Sequence, residues 1–260
     1  MSGAVLLDIS ESLATVTLSH PGRFNAMSRA MWRQLRAAFE AIAPRRGVRC
    51  VLVRGEGGHF CAGGDISEYA GFRFEPASLR DFHENEVWGA LQAMLDCDVP
   101  VLAQIEGNCM GAGVEIAACC DLRLAADGAR FGAPIAKLGF PMAPREAALV
   151  LRAVGELTAR EMLLTAAVLD AAEMKQRGFL NQVLPAGALG AAVQGRIGRI
   201  CQLAPQAARL NKASFRALAQ DPSAHSAIDL IATAYDYAAS DEHREGVLAF
   251  MEKRLPAFGA

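Results

Sequence analysis

The sequence predicts an α/β fold with a parallel-type sheet and a helical C-terminal region. Three observations carry this prediction. The short apolar runs VRCVLVRG and VLAQI each end in a glycine-rich turn. The second turn opens directly into VEIAACC, which is apolar on nearly every side and reads as a buried helix. From Arg145 onward the pattern is almost wholly helical. Repeated strand–turn–helix order places successive strands side by side and parallel, with helices covering the sheet.

Taken in order, VLLDIS and LATVTLS alternate as two strands of a hairpin turning at Glu11 and Ser12. HPGRFNAMS is a loop, with Ser28 placed to cap the helix that follows. Met31, Leu35, Ala38 and Ile42 recur at helical spacing. VRCVLVRG is a buried strand. The stretch from about Gly71 to Asp81 mixes Pro, Gly and charge without a period and is expected to be a mobile loop. HENEVWGALQAMLDC resumes a helix. After VLAQI and its turn, LRLAA and ARFGA read as short strands, and IAKLGFPMAP as a loop. The helices REAALVLRAVG, TAREMLLTA and AAEMKQRG precede a lone strand, FLNQVL. Further helices follow through AAVQGRIGRICQLA, PQAARLNKASFRALAQ, AHSAIDLIATAYDYAAS and SDEHREGVLAFMEKRL, the last capped by Ser240. The expected organisation is one unit with a core over residues 1–190 and a helical region over 191–260.

The 260 residues suffice for a sizeable core, and 52% of them are hydrophobic. A net charge of −2 supplies no bulk basic field for nucleic acid or a membrane surface. The seven cysteines are odd in number, form no Cys-x-x-Cys and lie mostly in apolar runs. They are expected to be reduced thiols in a reducing compartment, and a cytoplasmic location is expected. No secretory leader and no membrane span are expected.

The chemistry centres on the two glycine-rich turns, GEGGHFCAGGD and GNCMGAG. Each offers backbone N–H groups unobstructed by bulky side chains. They read either as ordinary tight turns or as a pair of donors converging on one oxygen, the device that stabilises an enolate or tetrahedral adduct. Glu115 sits in the first turn of the apolar helix, where a carboxylate is costly to bury without a task or a partner. There is no G-x-x-x-x-G-K-[ST], no H-E-x-x-H and no G-x-S-x-G. The G-x-x-x-G-x-G that is present is not the G-x-G-x-x-G of a dinucleotide site.

FCAGGDI and IEGNCMGAGVEIAACCDLRLAADGARFGAP resemble the two signatures of the enoyl-CoA hydratase/isomerase, or crotonase, superfamily. HPGRFNAMS, LTAREMLLT, FLNQV and EHREGVLAFMEKR extend the resemblance over essentially the whole chain. It implies a crotonase (ClpP-like) ββα spiral with a C-terminal helical trimerisation region. It also implies homotrimers, often paired into hexamers, and an acyl-CoA thioester substrate with no separate cofactor. By position, the resemblance assigns the oxyanion donors to the N–H groups of Gly64 and Ala112 and an acid/base role to Glu115. It lays Ala62, Gly63, Asp65 and Ile66 along the CoA moiety; Ile135 and Phe140 are read as an apolar wall of the substrate site, one that would favour loss of a carboxylate charge by desolvation. Arg23 matches a position near the CoA phosphates, or is a solvated loop charge. Phe250 and Lys253 match a pair that reaches the nucleotide end of CoA in a neighbouring subunit, or are a core aromatic and a solvated helix charge.

The sequence departs from the hydratase pattern at one point. The run F-G-x-P-E, which supplies the second glutamate, is here Phe131-Gly132-Ala133-Pro134-Ile135. Isoleucine moves no proton. Three readings follow: Glu115 works alone; His83, Glu84 or Glu86 substitutes; or the reaction needs no second carboxylate, as in decarboxylation of a malonyl-type thioester. Hydration or dehydration of an enoyl-CoA is the expected reaction. A decarboxylase, an isomerase, or a homologue that binds acyl-CoA without turnover are the alternatives.

Overall fold

The computed structural model describes residues 2–220, 231 and 233–259. Strands β1 (Ala4–Ser10) and β2 (Leu13–Ser19) form the expected antiparallel hairpin. Helix α1 (Arg29–Ile42) begins at Ser28, whose hydroxyl accepts the Met31 N–H at 3.2 Å. A serine cap of this kind is worth about 1 kcal/mol. Met31, Trp32, Leu35, Ala38, Phe39 and Ile42 form its buried stripe. Next come β3 (Cys50–Gly55), α2 (Pro76–Asp81), α3 (Trp88–Asp96), β4 (Val101–Ile105), β5 (Asn108–Met110) and α4 (Ala112–Cys119). They are followed by β6 (Leu122–Ala126), β7 (Arg130–Gly132), α5 (Pro144–Val154), α6 (Glu156–Thr165), β8 (Val168–Asp170), α7 (Ala171–Gln176) and β9 (Gln182–Leu184). Helices α8 (Ala186–Gln202) and α9 (Pro205–Gln220) lead to a last described helix, Asp241–Met251.

Six strands make one sheet in the order β1-β2-β3-β4-β6-β9, antiparallel only at the hairpin. Side-chain alternation along β3 sends Val51 and Val53 to one face and Cys50 and Leu52 to the other. The first face packs on α1 and α3 through Leu35, Phe39, Leu91 and Met94. The second face is covered by Leu189, Val193 and Ile197 of α8. This helix runs through residue 190, where the sequence placed the edge of the core, and its apolar stripe completes the sheet's second layer. A small second sheet, β5-β7-β8, has strands of three residues each.

The segment expected to be a mobile loop is ordered differently. Phe72 follows a 3-10 turn over Ile66–Gly71 and Phe82 follows helix α2; both are buried, with ring centroids 4.6 Å apart. Two aromatics ten residues apart fold this polar stretch back onto the core. The helix expected over residues 224–240 lies largely outside the described residues; its end, Asp236–Ala239, is a 3-10 turn.

The topology sets up the site. β3 and β4 are adjacent and parallel, with Val51 opposite Val101 and Val53 opposite Ala103. Their carboxyl ends, and so the two glycine-rich turns that follow them, emerge side by side. In open α/β sheets this edge is where ligands are held.

Candidate active site

The two turns are stitched together by backbone hydrogen bonds. Phe60 N–H donates to Glu106 O, Cys61 N–H to Asn108 O, and Met110 N–H to Cys61 O, each at 2.8 Å. His59 Nδ1 accepts the Asn108 N–H at 3.2 Å, so this histidine holds the turns together. Backbones approach so closely that a Cβ on Gly113 would sit 2.6 Å from Cys61 O. Gly63 (φ 110°) and Gly111 (φ 46°) adopt left-handed backbone where the turns touch, which side-chain-bearing residues rarely tolerate. Burial pushes the Cys61 thiol up to about 12, so it is inert packing between the turns.

Gly64 and Ala112 follow these contact points on the two turns, and both line one cavity of about 200 Å³. Ala112 is the first residue of α4, where a helix leaves its N–H groups without internal acceptors. Among the described residues neither the Gly64 N–H nor the Ala112 N–H has an acceptor. Ala62, Gly63, Ile66, Ile135 and Phe140 line the same cavity, as does Glu115. Glu115 is only 7% exposed. Desolvation pushes its carboxyl well above the usual carboxylate range, and a second carboxylate, Glu146, adds to the rise.

Glu146 is a site residue the sequence reading missed. It is the third residue of α5, 2% exposed, and lines the cavity. Its two oxygens lie 3.0 and 3.1 Å from Nδ1 of His83, which also lines the cavity. His83 Nε2 faces a guanidinium nitrogen of Arg73 at 3.5 Å. Arginine only donates, so this arrangement puts the imidazole proton on Nδ1, toward Glu146, and leaves Nε2 as the acceptor. Of His83, Glu84 and Glu86, His83 alone lines the cavity. Glu86 is buried but held by Arg29 and Arg33, each at 2.8 Å, and Glu84 pairs with Arg145 at 3.5 Å. Tyr69 is a further lining residue not foreseen; burial pushes its phenol up, and a Cβ on Gly64 would clash with its hydroxyl.

Four expected positions stand apart from the cavity wall. Asp65 is buried and caps the Ile66–Gly71 turn, accepting the Ser67 N–H at 3.1 Å and the Ser67 hydroxyl at 2.7 Å. Burial pushes its carboxyl up, but the Ser67 bonds and the Arg23 charge outweigh burial and hold it below the usual range. Arg23 pairs with Asp65 at 3.2 Å, so Asp65 is a structural anchor for this loop. Phe250 and Lys253 lie at the end of the last helix; Phe250 is 85% exposed and faces a groove among the C-terminal helices. Among the described residues no cluster of His, Cys, Asp and Glu has a metal-binding arrangement.

A cavity flanked by two unpaired backbone N–H groups and lined by two buried carboxylates has the groups needed to polarise a carbonyl and move protons beside it. The family model for enoyl-CoA hydratase/isomerase matches residues 8–260. A protein named "Probable enoyl-CoA hydratase" from Mycobacterium tuberculosis is 29% identical over 254 residues, covering 98% of this chain and 97% of its own. The crotonyl-CoA hydratase of Syntrophomonas wolfei is 30% identical over 256 residues, with 98% and 97% covered. The crystal structure of an enoyl-CoA hydratase/carnitine racemase from Magnetospirillum magneticum superposes with a TM-score of 0.93 at 36% identity, covering 99% of this chain and 96% of that one. The chain belongs to the enoyl-CoA hydratase/isomerase family and has the crotonase fold.

Proposed function

We propose that this protein is an enoyl-CoA hydratase in which Glu146, steadied by His83, fills the role that Ile135 has vacated. The observation that carries this reading is the convergence of Glu115 and Glu146 on one cavity beside two unpaired N–H groups. In this reading the thioester carbonyl accepts hydrogen bonds from Gly64 and Ala112, which hold the enolate oxygen as negative charge builds on it. Glu146, with both oxygens against the His83 ring, takes a proton from water. The water oxygen bonds to Cβ, the Cα–Cβ π electrons move into the enolate, and Glu115 delivers its proton to Cα. Desolvation suits Glu115 to the acid role by holding it toward its protonated form. Proton exchange through solvent returns the proton gained by Glu146 to Glu115, and the net change is addition of one water.

In this reading Ala62, Gly63 and Ile66, which line the cavity, contact the pantetheine arm, and Arg23, paired with Asp65, lies toward the CoA phosphates. Exposed apolar residues on the C-terminal helices, among them Phe215 at 69% and Phe250 at 85%, support a homotrimer or a hexamer of paired trimers. That assembly would carry Phe250 and Lys253 toward a neighbour's CoA. The seven unpaired cysteines, six of them buried, support a reducing, cytoplasmic setting. No described helix is long and apolar enough to cross a membrane.

The test is to incubate the protein with crotonyl-CoA, and separately with malonyl-CoA, in oxygen-18 water and follow each thioester by mass spectrometry. Gain of one labelled water is expected. An unshifted mass with a moved double bond, or release of carbon dioxide from a malonyl-type thioester, would replace hydration with isomerisation or decarboxylation. Binding with no turnover of any thioester would make the protein a non-catalytic homologue.

A further inference from the structure

Arg73 joins the Ile66–Gly71 turn to α2 and lines the cavity. Its guanidinium carbon lies 3.8 Å from the Phe140 ring centroid and 4.6 Å from that of Tyr69. Other arginines around the site have acids: Arg23 pairs with Asp65, Arg29 and Arg33 with Glu86, and Arg145 with Glu84. Among the described residues Arg73 has no carboxylate within salt-bridge distance. The acid nearest in function, Glu146, is occupied by His83, and the 3.5 Å contact to His83 Nε2 uses only one of five guanidinium N–H donors.

Burial pushes the Arg73 guanidinium down from its ordinary value, although Tyr69 and Glu146 oppose the shift, and a half-buried cation without a salt bridge is costly. The two rings, with centroids 6.0 Å apart and planes inclined at 69°, lie against the guanidinium from two directions about a right angle apart. Its remaining N–H donors include the fork that matches a carboxylate with two parallel N–H bonds. Ile135 and Leu138, also on the cavity wall, offer the remainder of an acyl chain only apolar contact.

We infer that Arg73 binds a carboxylate carried by the acyl group, so the thioester this site is built for is a dicarboxylic acid monothioester. The inference rests on the proposed acyl-CoA site and names its substrate class. The thioester end sits at Gly64 and Ala112, the reacting carbons at Glu115 and Glu146, and the distal acid at Arg73.

The experiment is calorimetric titration of the protein with glutaryl-CoA, pentanoyl-CoA and free CoA, repeated with Arg73→Gln and Arg73→Lys. These thioesters are saturated and do not react, so the result is independent of whether the enzyme hydrates enoyl-CoA. Glutaryl-CoA is expected to bind about 10-fold or more tighter than pentanoyl-CoA, the usual worth of a charged hydrogen-bonded pair. Arg73→Gln should bring the ratio near one, and Arg73→Lys should leave it in between. Equal affinities in the unsubstituted protein overturn the inference. So does an equal loss for glutaryl-CoA, pentanoyl-CoA and free CoA in Arg73→Gln, which would assign Arg73 to the CoA phosphates. Retention of the preference in a folded Arg73→Gln overturns it as well.

Discussion

His83 on the helical turn before α3 and Glu146 on α5 are 63 residues apart in sequence, yet Nδ1 of the one lies 3.0 and 3.1 Å from the carboxylate oxygens of the other. The pair brings a second acid to the cavity that Glu115 and Ile135 line. If Glu146 is the base that activates water, Glu146→Gln lowers kcat for crotonyl-CoA by about 10²-fold or more. His83→Gln lowers it less, because it removes the support and leaves the carboxylate. Steady-state kinetics on both variants decides this, and wild-type turnover in Glu146→Gln would dismiss Glu146 from the chemistry.

Glu115 gives a prediction with opposite signs for activity and stability. Burial raises its folded-state pKa above the ordinary 4.5, so the native protein binds more protons than the unfolded chain once pH exceeds that value. The associated cost is absent below about pH 4, where both states are protonated, and grows as pH rises toward the folded pKa. Glu115→Gln removes the titration. The variant should melt at a higher temperature than wild type at neutral pH and about equal to it near pH 4, while losing about 10²-fold in turnover. A stability gap that is constant with pH would show that the carboxyl titrates normally.

Ala112 allows a backbone donor to be deleted by mutagenesis. It is the first residue of α4, the one helical position where proline is tolerated because the N–H has no internal acceptor. Ala112→Pro should keep the circular-dichroism spectrum and lose about 10² to 10³ in kcat, the usual worth of one oxyanion donor. Near-native turnover would remove the Ala112 N–H from the reaction.

Gly113 tests the packing of the two turns. Its absent Cβ would lie 2.6 Å from the backbone oxygen of Cys61, which cannot rotate away. Gly113→Ala therefore forces the turns apart and should cost about 1–3 kcal/mol in chemical denaturation. A change within error would mean that the turns slide without penalty.

How much of this was legible in the sequence depends on how local each feature is. The Ser28 cap, the two turns and Glu115 were readable because glycine spacing, capping chemistry and an acid in an apolar run are decided within a few residues. Strands β5 and β8 were missed because three residues carry no period, and one of them lies inside a glycine turn. Glu146 was missed for a different reason. An acid in the first turn after Pro144 is what any exposed helix start favours, and only the packing of α5 on α4 buries it. Arg73 sat in a segment that looked shapeless until Phe72 and Phe82 folded it inward. Sequence marks positions whose own backbone is unusual. It does not mark ordinary side chains made functional by distant neighbours.

The relation between Ile135 and Glu146 yields the last prediction. In the unsubstituted protein Ile135→Glu places a third carboxylate in a cavity where Glu146 already raises the Glu115 carboxyl. Like charges in a desolvated site oppose one another, so this single substitution should lower hydration. In Glu146→Gln the same substitution returns the number of acids to two, with the second now at position 135 of the same cavity. Ile135→Glu should then raise the turnover of Glu146→Gln, giving a double-substitution cycle whose coupling exceeds the additive expectation for independent sites. Kinetics on the four proteins measures that coupling. Additive losses would show that Ile135 and Glu146 do not share one role, and that the water is activated by Glu115 alone.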